Sequence, residues 1–204
     1  MLVEAERLDG WLKRFTRRHG EPAWSTFGDE VVVSAADGAV ARLTVPFPPL
    51  AVVDAPYGGL VAHVLRDRTV GALLVRRGGY AAGVFVGPRL DSSKVGSRLV
   101  QGRSAAGGWS QQRFARRREG QARQAMEAAA DVAARVLLPV DRLDAVVLGG
   151  DRKAVDAVLS DIRLRPLQPL VQARRVEVPD PRLKVLQALP AQFRAVPVEI
   201  TDPD

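Results

Sequence analysis

A glycine pair followed by two carboxamides is the part of the sequence whose residue types point most directly to chemistry. Gly107 and Gly108 allow the main chain to approach a partner closely and to adopt backbone angles that other residues avoid. Gln111 and Gln112 follow within a few residues. Because a carboxamide has no titratable proton, it cannot act as a general acid or base. Its contribution to a site would be the placement of another group.

Arginine side chains follow the two glutamines at helical spacing. At about 100° per residue, the basic positions fall within an arc of roughly 120°, and the apolar positions between Phe114 and Val136 lie on the far side. The basic positions are Arg113, Arg116, Arg117 and Arg123. A helix that begins near Gln111 also directs its unpaired N–H groups and the positive end of its dipole toward whatever the glycine segment approaches. Both features favour an anionic partner.

Positive charge is concentrated around these residues. The chain has 204 residues and a formal net charge of +7. Residues 89–123 hold nine Lys or Arg and two Asp or Glu, so this segment alone accounts for the whole net charge. Such a concentration is typical of surfaces that bind phosphates, because the attraction is long-ranged and salt-sensitive. A charged surface that serves only solubility, in an arginine-rich chain, remains the alternative.

The composition excludes several other kinds of site. The chain has no Cys and therefore no disulfide, and its two imidazoles, His19 and His63, lie too far apart in sequence to indicate a zinc site. No apolar run reaches the roughly 18 residues of a membrane span, and Glu4 and Glu6 interrupt the place where a signal peptide is apolar. We expect a soluble, cytoplasmic protein with no metal, no cofactor and no membrane partner.

Three familiar catalytic patterns are incomplete in this sequence. Ser110 follows a Gly-Trp pair, but no His occurs after it, as the residue order of a serine hydrolase requires. The glycine segment lacks the Lys-Ser or Lys-Thr pair of a P-loop. The acidic residues fall mostly at predicted turns and helix caps, whereas a two-metal nuclease needs carboxylates that converge. These reaction classes are therefore not indicated.

Hydrophobic periodicity predicts helices and strands in alternation. Leu8, Leu12 and Phe15 fall on one face of a helix predicted over Leu2–Arg18. The further predicted elements are a hairpin of Glu30–Ala35 and Ala39–Val45, a hairpin of Val70–Val75 and Tyr80–Val86, a strand at Ser93–Val100, a strand at Asp144–Leu148, a helix at Asp151–Asp161 capped by Asp151, a strand at Val171–Val178 and a helix at Pro181–Ala188.

This order of elements predicts an α/β fold of the α+β kind, in which helices pack on a mixed β-sheet. Residues 1–65 form an N-terminal extension of one helix and one β-hairpin. Residues 66–204 form the main domain, which includes a flexible loop at 101–110 and a long basic helix at 111–137.

The segment from Gly107 to Arg116 resembles a known motif. It is similar to the loop and helix start of the eukaryotic and archaeal class-one release factors, in which Gly-Gly-Gln precedes a similar Arg-Phe-Ala-Arg. In the ungapped alignment Trp109 stands where those factors have Gln. The spacing Gly108-Trp109-Ser110-Gln111 is instead the Gly-x-x-Gln signature of the Vms-like release factors, which cleave peptidyl-tRNA on obstructed large ribosomal subunits. The resemblance covers about residues 68–189.

The resemblance implies a fold, an activity and a set of roles. The fold would be a ribonuclease-H-like mixed sheet, as in the central domain of the release factors. The activity would be hydrolysis of the peptidyl-tRNA ester at the peptidyl-transferase centre, with the large ribosomal subunit, its rRNA and peptidyl-tRNA as partners. Gln111 would hold the attacking water. The implied RNA-binding residues are Gly107, Gly108, Trp109, Ser110, Gln112, Arg113, Arg116 and Arg117. The oligomeric state stays open, with a monomer as the working expectation.

Two other functions remain as alternatives. The first is a ribosome- or RNA-binding module that occupies the same groove without cleaving an ester. The second is a metal-dependent nuclease on the same fold. Salt-sensitive binding without release would indicate the module, and RNA degradation that a chelator abolishes would indicate the nuclease.

Overall fold

The computed structural model describes residues 1–76, 79–97 and 110–202, and the side chains of all these residues except 110–118. The strands are β1 (Leu2–Val3), β2 (Ala23–Phe27), β3 (Glu30–Ser34), β4 (Val40–Thr44), β5 (Thr69–Arg76), β6 (Gly79–Val86), β7 (Arg89–Ser97), β8 (Ala145–Gly150) and β9 (Val196–Thr201). The helices are α1 (Leu8–His19), α2 (Leu60–Leu65), α3 (Ser110–Leu137), α4 (Arg152–Leu159), α5 (Leu183–Ala188) and α6 (Pro190–Phe193). Among the helices described, none has the length and apolar composition needed to cross a bilayer.

The chain forms two compact units. One consists of Met1–Asp67 together with Pro190–Asp204, and the other is Arg68–Leu189. The sequence analysis placed residues 190–204 with the main domain. In the structure β9 lies between β1 and β4 of the first unit, because its backbone groups complete a sheet that the N-terminal strands leave open.

The first unit is an antiparallel sheet with a helix packed on it. Its strand order is β1-β9-β4-β3-β2. The predicted hairpin is confirmed, since β3 pairs with β4 around residues 35–39. The predicted first helix is confirmed from Leu8 onward, and its buried residues include Leu8, Leu12 and Phe15. Leu2 and Val3, which the prediction included in that helix, instead pair with β9 as strand β1.

The second unit is built on a mixed sheet of four strands. Its order is β7-β6-β5-β8, with β5 and β8 parallel and the other pairs antiparallel. Six consecutive residues of β5 and six of β6 are buried, so both faces of the sheet centre are covered. The predicted hairpin and third strand are confirmed, and the third strand begins at Arg89 rather than Ser93. Helices on a mixed sheet confirm the predicted fold class.

The predicted strand at Val171–Val178 does not form a continuous ladder. Two isolated parallel bridges connect this segment to β8, at Val146–Val171 and Gly149–Val176. Five residue steps separate Val171 from Val176, whereas three separate Val146 from Gly149 on β8. The segment therefore bulges between the two bridges, and regular pairing cannot continue. It pairs with β8 only at the two bridges, with a bend at residues 173–174 between them.

The turn from β8 into α4 is sterically demanding. Gly150 has a φ of +99°, and a Cβ atom at this position would overlap the carbonyl oxygen of Val75 in the neighbouring strand. Asp151 then caps α4, since its carboxylate accepts a hydrogen bond from the Ala154 N–H (3.0 Å). The predicted cap is confirmed.

We expect Gly150→Ala and Gly120→Ala to change stability in opposite directions. The first forces a side chain into a left-handed conformation against β5, at a cost of about 1–3 kcal/mol. The second replaces a glycine inside α3, where an added Cβ meets no atom within 4 Å, and should stabilise the protein by about 0.5–1 kcal/mol. Urea unfolding monitored by circular dichroism measures both changes. Equal midpoints for the two variants would contradict the steric account.

Candidate functional site

The structure describes some of the predicted site residues and not others. Gly107, Gly108 and Trp109 lie outside the described residues. The remaining predicted residues belong to the helical backbone of α3: Ser110, Gln111, Gln112, Arg113, Arg116 and Arg117. Their roles stay predictions, and the structure supplies the position of the helix that carries them.

Helix α3 begins at Ser110 and ends at Leu137, over 28 residues. This range agrees with the predicted helix at 111–137. Gln111 and Gln112 are thus in the first turn, where backbone N–H groups have no intrahelical acceptor and the dipole of the helix is positive. The turn that carries the two carboxamides favours a polar or anionic partner by its backbone alone.

The second half of α3 anchors the helix in the core. From Glu119 to Gln124 no side chain is buried, and the first buried side chain among the described residues of the helix is Ala125. The buried residues that follow are mostly small: Ala129, Ala130, Val132, Ala133 and Leu137. Short side chains let the helix axis approach the sheet closely, and this face packs in one cluster with residues of β5, β6 and β8. The predicted apolar side of the helix is confirmed at Ala125, Ala129 and Val132.

The distance from this anchor to the first turn follows from helix geometry. Gln111 precedes Ala125 by 14 residues, which at 1.5 Å per residue is about 21 Å. The segment 98–109 connects β7, an edge strand of the sheet, to the start of α3. Strand β7 and helix α3, between which these residues lie in sequence, belong to the same unit.

An ion-pair cluster attaches α3 to the chain that follows α4. Arg163 Nη1 donates to Asp131 Oδ1 on α3 (2.7 Å), and Arg163 Nη2 donates to Asp161 Oδ2 (2.7 Å). Asp161 also accepts a hydrogen bond from the backbone N–H of Arg163 (3.0 Å). No local sequence pattern predicts this role of Arg163, because it lies 32 residues from Asp131.

The ion pairs shift the pKa values of Asp161 and Arg163. The hydrogen bonds from the Arg163 side chain and backbone lower the pKa of Asp161 from 3.8 to about 2. The two carboxylates in turn raise the pKa of the Arg163 guanidinium, Asp161 having the larger effect. At neutral pH Asp161 and Arg163 are both charged, and Arg163 also bonds an acidic residue on the anchored half of α3.

The acidic residues of the described strand ends serve backbone groups. Asp144 Oδ2 accepts a hydrogen bond from the Thr69 N–H at the start of β5 (2.8 Å), and Asp151 caps α4. This confirms the interpretation of these acids as turn and cap residues. Within residues 1–76, 79–97 and 110–202, no group of three or more His, Asp or Glu side chains is placed to hold a metal ion.

We expect the Asp161–Arg163 interaction to make the free energy of unfolding depend on pH only under acidic conditions. The folded-state pKa lies below the ordinary value, so the contribution is complete above pH 3.8 and is lost as the pH falls toward about 2. Arg163→Gln should return the Asp161 pKa toward 3.8, as measured by NMR titration of the carboxyl carbon. Arg165→Gln, a nearby exposed arginine with no ion pair among the described residues, is the matched control. An Asp161 pKa unchanged in Arg163→Gln would contradict the assignment.

Comparisons with known proteins give one family and several weak structural similarities. The archaeal translation termination factor aRF1 is 17% identical over 79% of this chain, with a TM-score of 0.48, and this chain spans about half (51%) of its length. The Vms1 mitochondrial localization core is 9% identical, with 91% of this chain and 79% of that chain covered and a TM-score of 0.49. Among curated proteins, none matches the sequence.

The family assignment comes from the sequence of the second unit and the residues that follow it. A family model described as the actinobacterial and chloroflexi VLRF1 release factor matches residues 68–199. This range includes the whole mixed sheet, helix α3 with both glutamines, and residues 196–199 of β9. The chain belongs to the VLRF1 release factor family of actinobacteria and chloroflexi.

Proposed function

We propose that this protein is a ribosome-dependent peptidyl-tRNA hydrolase that releases nascent chains from stalled large ribosomal subunits. Membership of the VLRF1 release factor family supports the general role. The observation that carries the specific proposal is the start of α3 at Ser110, which puts Gln111 of the Gly-x-x-Gln sequence in the first turn of a long, anchored helix. The protein would act in the cytoplasm as a monomer.

Placement of water is the chemistry that a glutamine can supply. The peptidyl-tRNA ester is already reactive toward water, and hydrolysis needs a water molecule held in line with the ester carbonyl. The Gln111 amide would accept and donate hydrogen bonds to that water, and a nearby backbone N–H would face the oxyanion that develops. Neither contribution requires a change of protonation. Gly107 and Gly108 would allow the main chain to come close to the end of the tRNA.

The arginines would supply affinity. Arg113, Arg116 and Arg117 lie within two turns of Gln111 on the same helix. Guanidinium groups bind phosphate oxygens in a bidentate manner, and such contacts position a protein on RNA without reading its sequence. Because α3 is held by its buried second half, bound phosphates would fix the direction of the helix and with it the position of Gln111.

We expect Gln111→Ala to lower the rate of peptide release by about 10²–10³, the usual cost of removing one positioned donor. The assay follows release of labelled peptide from peptidyl-tRNA on isolated large subunits. Gln124→Ala is the matched control, because Gln124 is an exposed glutamine of the same helix that lies outside the predicted site. The control should release peptide at nearly the rate of the unmodified protein.

Two outcomes would contradict this assignment. Equal release by Gln111→Ala and the unmodified protein would remove Gln111 from the mechanism. Salt-sensitive binding of the unmodified protein to the subunit, with no release, would indicate the non-catalytic binding module instead.

The triple variant Arg113→Gln, Arg116→Gln and Arg117→Gln should weaken binding and leave chemistry intact. We expect KM for the subunit complex to rise and kcat to change little, since phosphate contacts contribute equally to the ground and transition states. Arg142→Gln, Arg152→Gln and Arg165→Gln remove the same charge from exposed positions of the same unit and serve as the control. An equal rise in KM for both variants would indicate a general effect of net charge.

A further inference from the structure

Helix α1 is a basic element in an acidic unit. Met1–Asp67 and Pro190–Asp204 together hold eight Lys or Arg and twelve Asp or Glu, a formal charge of −4. Helix α1 carries four of these cations and one acid. The rest of the unit therefore has a charge of −7 and the helix a charge of +3. A general preference for arginine does not explain this, because it would spread the cations over the unit.

Three of the four cations share one side of α1. Arg14, Arg17 and Arg18 have the spacing i, i+3, i+4, which places them next to one another on the helix surface. All three are exposed, and within the part of the chain that the structure describes none of them forms an ion pair. The fourth cation, Lys13, is paired with Asp9 at 2.7 Å.

Helix stability does not account for this arrangement. The negative end of the helix dipole favours Arg17 and Arg18 in the last turn, but Arg14 precedes that turn. Like charges three and four residues apart repel and destabilise a helix. Acidic residues are abundant elsewhere in the unit, yet none is placed to relieve the repulsion in the described structure. The free protein thus keeps a destabilising cluster that an anionic partner would neutralise.

The buried side of α1 holds these arginines in a fixed position. Leu8, Leu12 and Phe15 are buried against the sheet of the first unit. At the end of the helix His19 Nδ1 lies 2.8 Å from Asp37 Oδ2, and the His19 ring packs on Phe15 with centroids 4.8 Å apart. A helix fixed at its end presents its arginines from a rigid support, which lowers the entropy lost on binding.

We propose that Arg14, Arg17 and Arg18 form a second RNA-binding surface, which contacts the phosphate backbone of ribosomal RNA. Guanidinium groups match phosphate oxygens, and no large apolar side chain of α1 is exposed. Protein interfaces have an apolar centre, so this face suits phosphates better than an acidic protein. The rest of the unit carries a net negative charge, which disfavours RNA contact outside α1. RNA binding follows from the charges, and the choice of ribosomal RNA rests on the proposed function.

The test measures binding of the full chain to single-stranded oligouridylate over a range of salt concentrations. Removing three phosphate contacts should reduce the slope of log affinity against log salt by about 2, at about 0.7 per contact. The test variant is Arg14→Gln, Arg17→Gln and Arg18→Gln. The control variant is Arg7→Gln, Lys13→Gln and Arg42→Gln, which removes the same charge from ion-paired positions of the same unit. The control should keep the slope of the unmodified protein.

A charge-preserving variant, and polyglutamate as a second ligand, make the test specific. Replacing the same three arginines by lysine should retain the slope, because the effect is electrostatic. All three side chains are exposed, so each variant should fold, and the Arg→Gln variant should melt at a temperature no lower than that of the unmodified protein because it relieves the like-charge repulsion. The binding assay contains no ester, so its outcome does not depend on the proposed hydrolysis.

Three results would overturn the proposal. The first is an unchanged slope in the test variant, and the second is an equal loss of slope in the control variant. The third is tight binding of polyglutamate that depends on the three arginines while RNA binding does not, which would identify an acidic protein as the partner.

Discussion

The contact between the small-residue face of α3 and the mixed sheet is the constraint on which the rest of this protein depends. Alanines from Ala125 to Ala133 let the helix lie close to the strands, and Leu137 closes the contact at its end. The helix has 28 residues, and among its described side chains burial begins only at Ala125. Its first turns extend about 21 Å beyond the first buried alanine and carry Gln111 and Gln112. Under the proposed function, the anchored helix would position Gln111 to hold the attacking water.

Charge is divided unevenly between the two units. The second unit holds 22 Lys or Arg and 11 Asp or Glu, a charge of +11, whereas the first unit has a charge of −4. Asp144 and Asp151 accept hydrogen bonds from backbone groups, and Asp131 bonds Arg163. In the first unit α1 has a charge of +3 and the rest of the unit a charge of −7. Positive charge is therefore concentrated in the second unit and, within the first unit, in α1.

Local patterns predicted most elements of the second unit, because their pairing partners are close in sequence. The Val70–Val86 hairpin and the Asp151 cap each depend on residues within a few positions. Strand β2 was missed because Ala23–Phe27 is an exposed edge strand without alternating apolar residues. Strand β9 was missed because Val40 and Thr201 pair across more than 150 residues. The segment at 171–178 has the apolar residues of a strand, but its hydrophobic pattern does not reveal that its pairing with β8 is irregular.

The sequence by itself determined the Gly-x-x-Gln spacing, the length and apolar face of α3, and the concentration of cations in residues 89–123, since each is a property of neighbouring residues. Tertiary structure alone decided that the end of the chain returns to the first sheet, that Arg163 holds α3, and that α1 lies in an acidic unit. These outcomes depend on hydrogen bonds and ion pairs between residues far apart in sequence. Periodicity carries no information about such pairs, because it describes only which side of an element is buried.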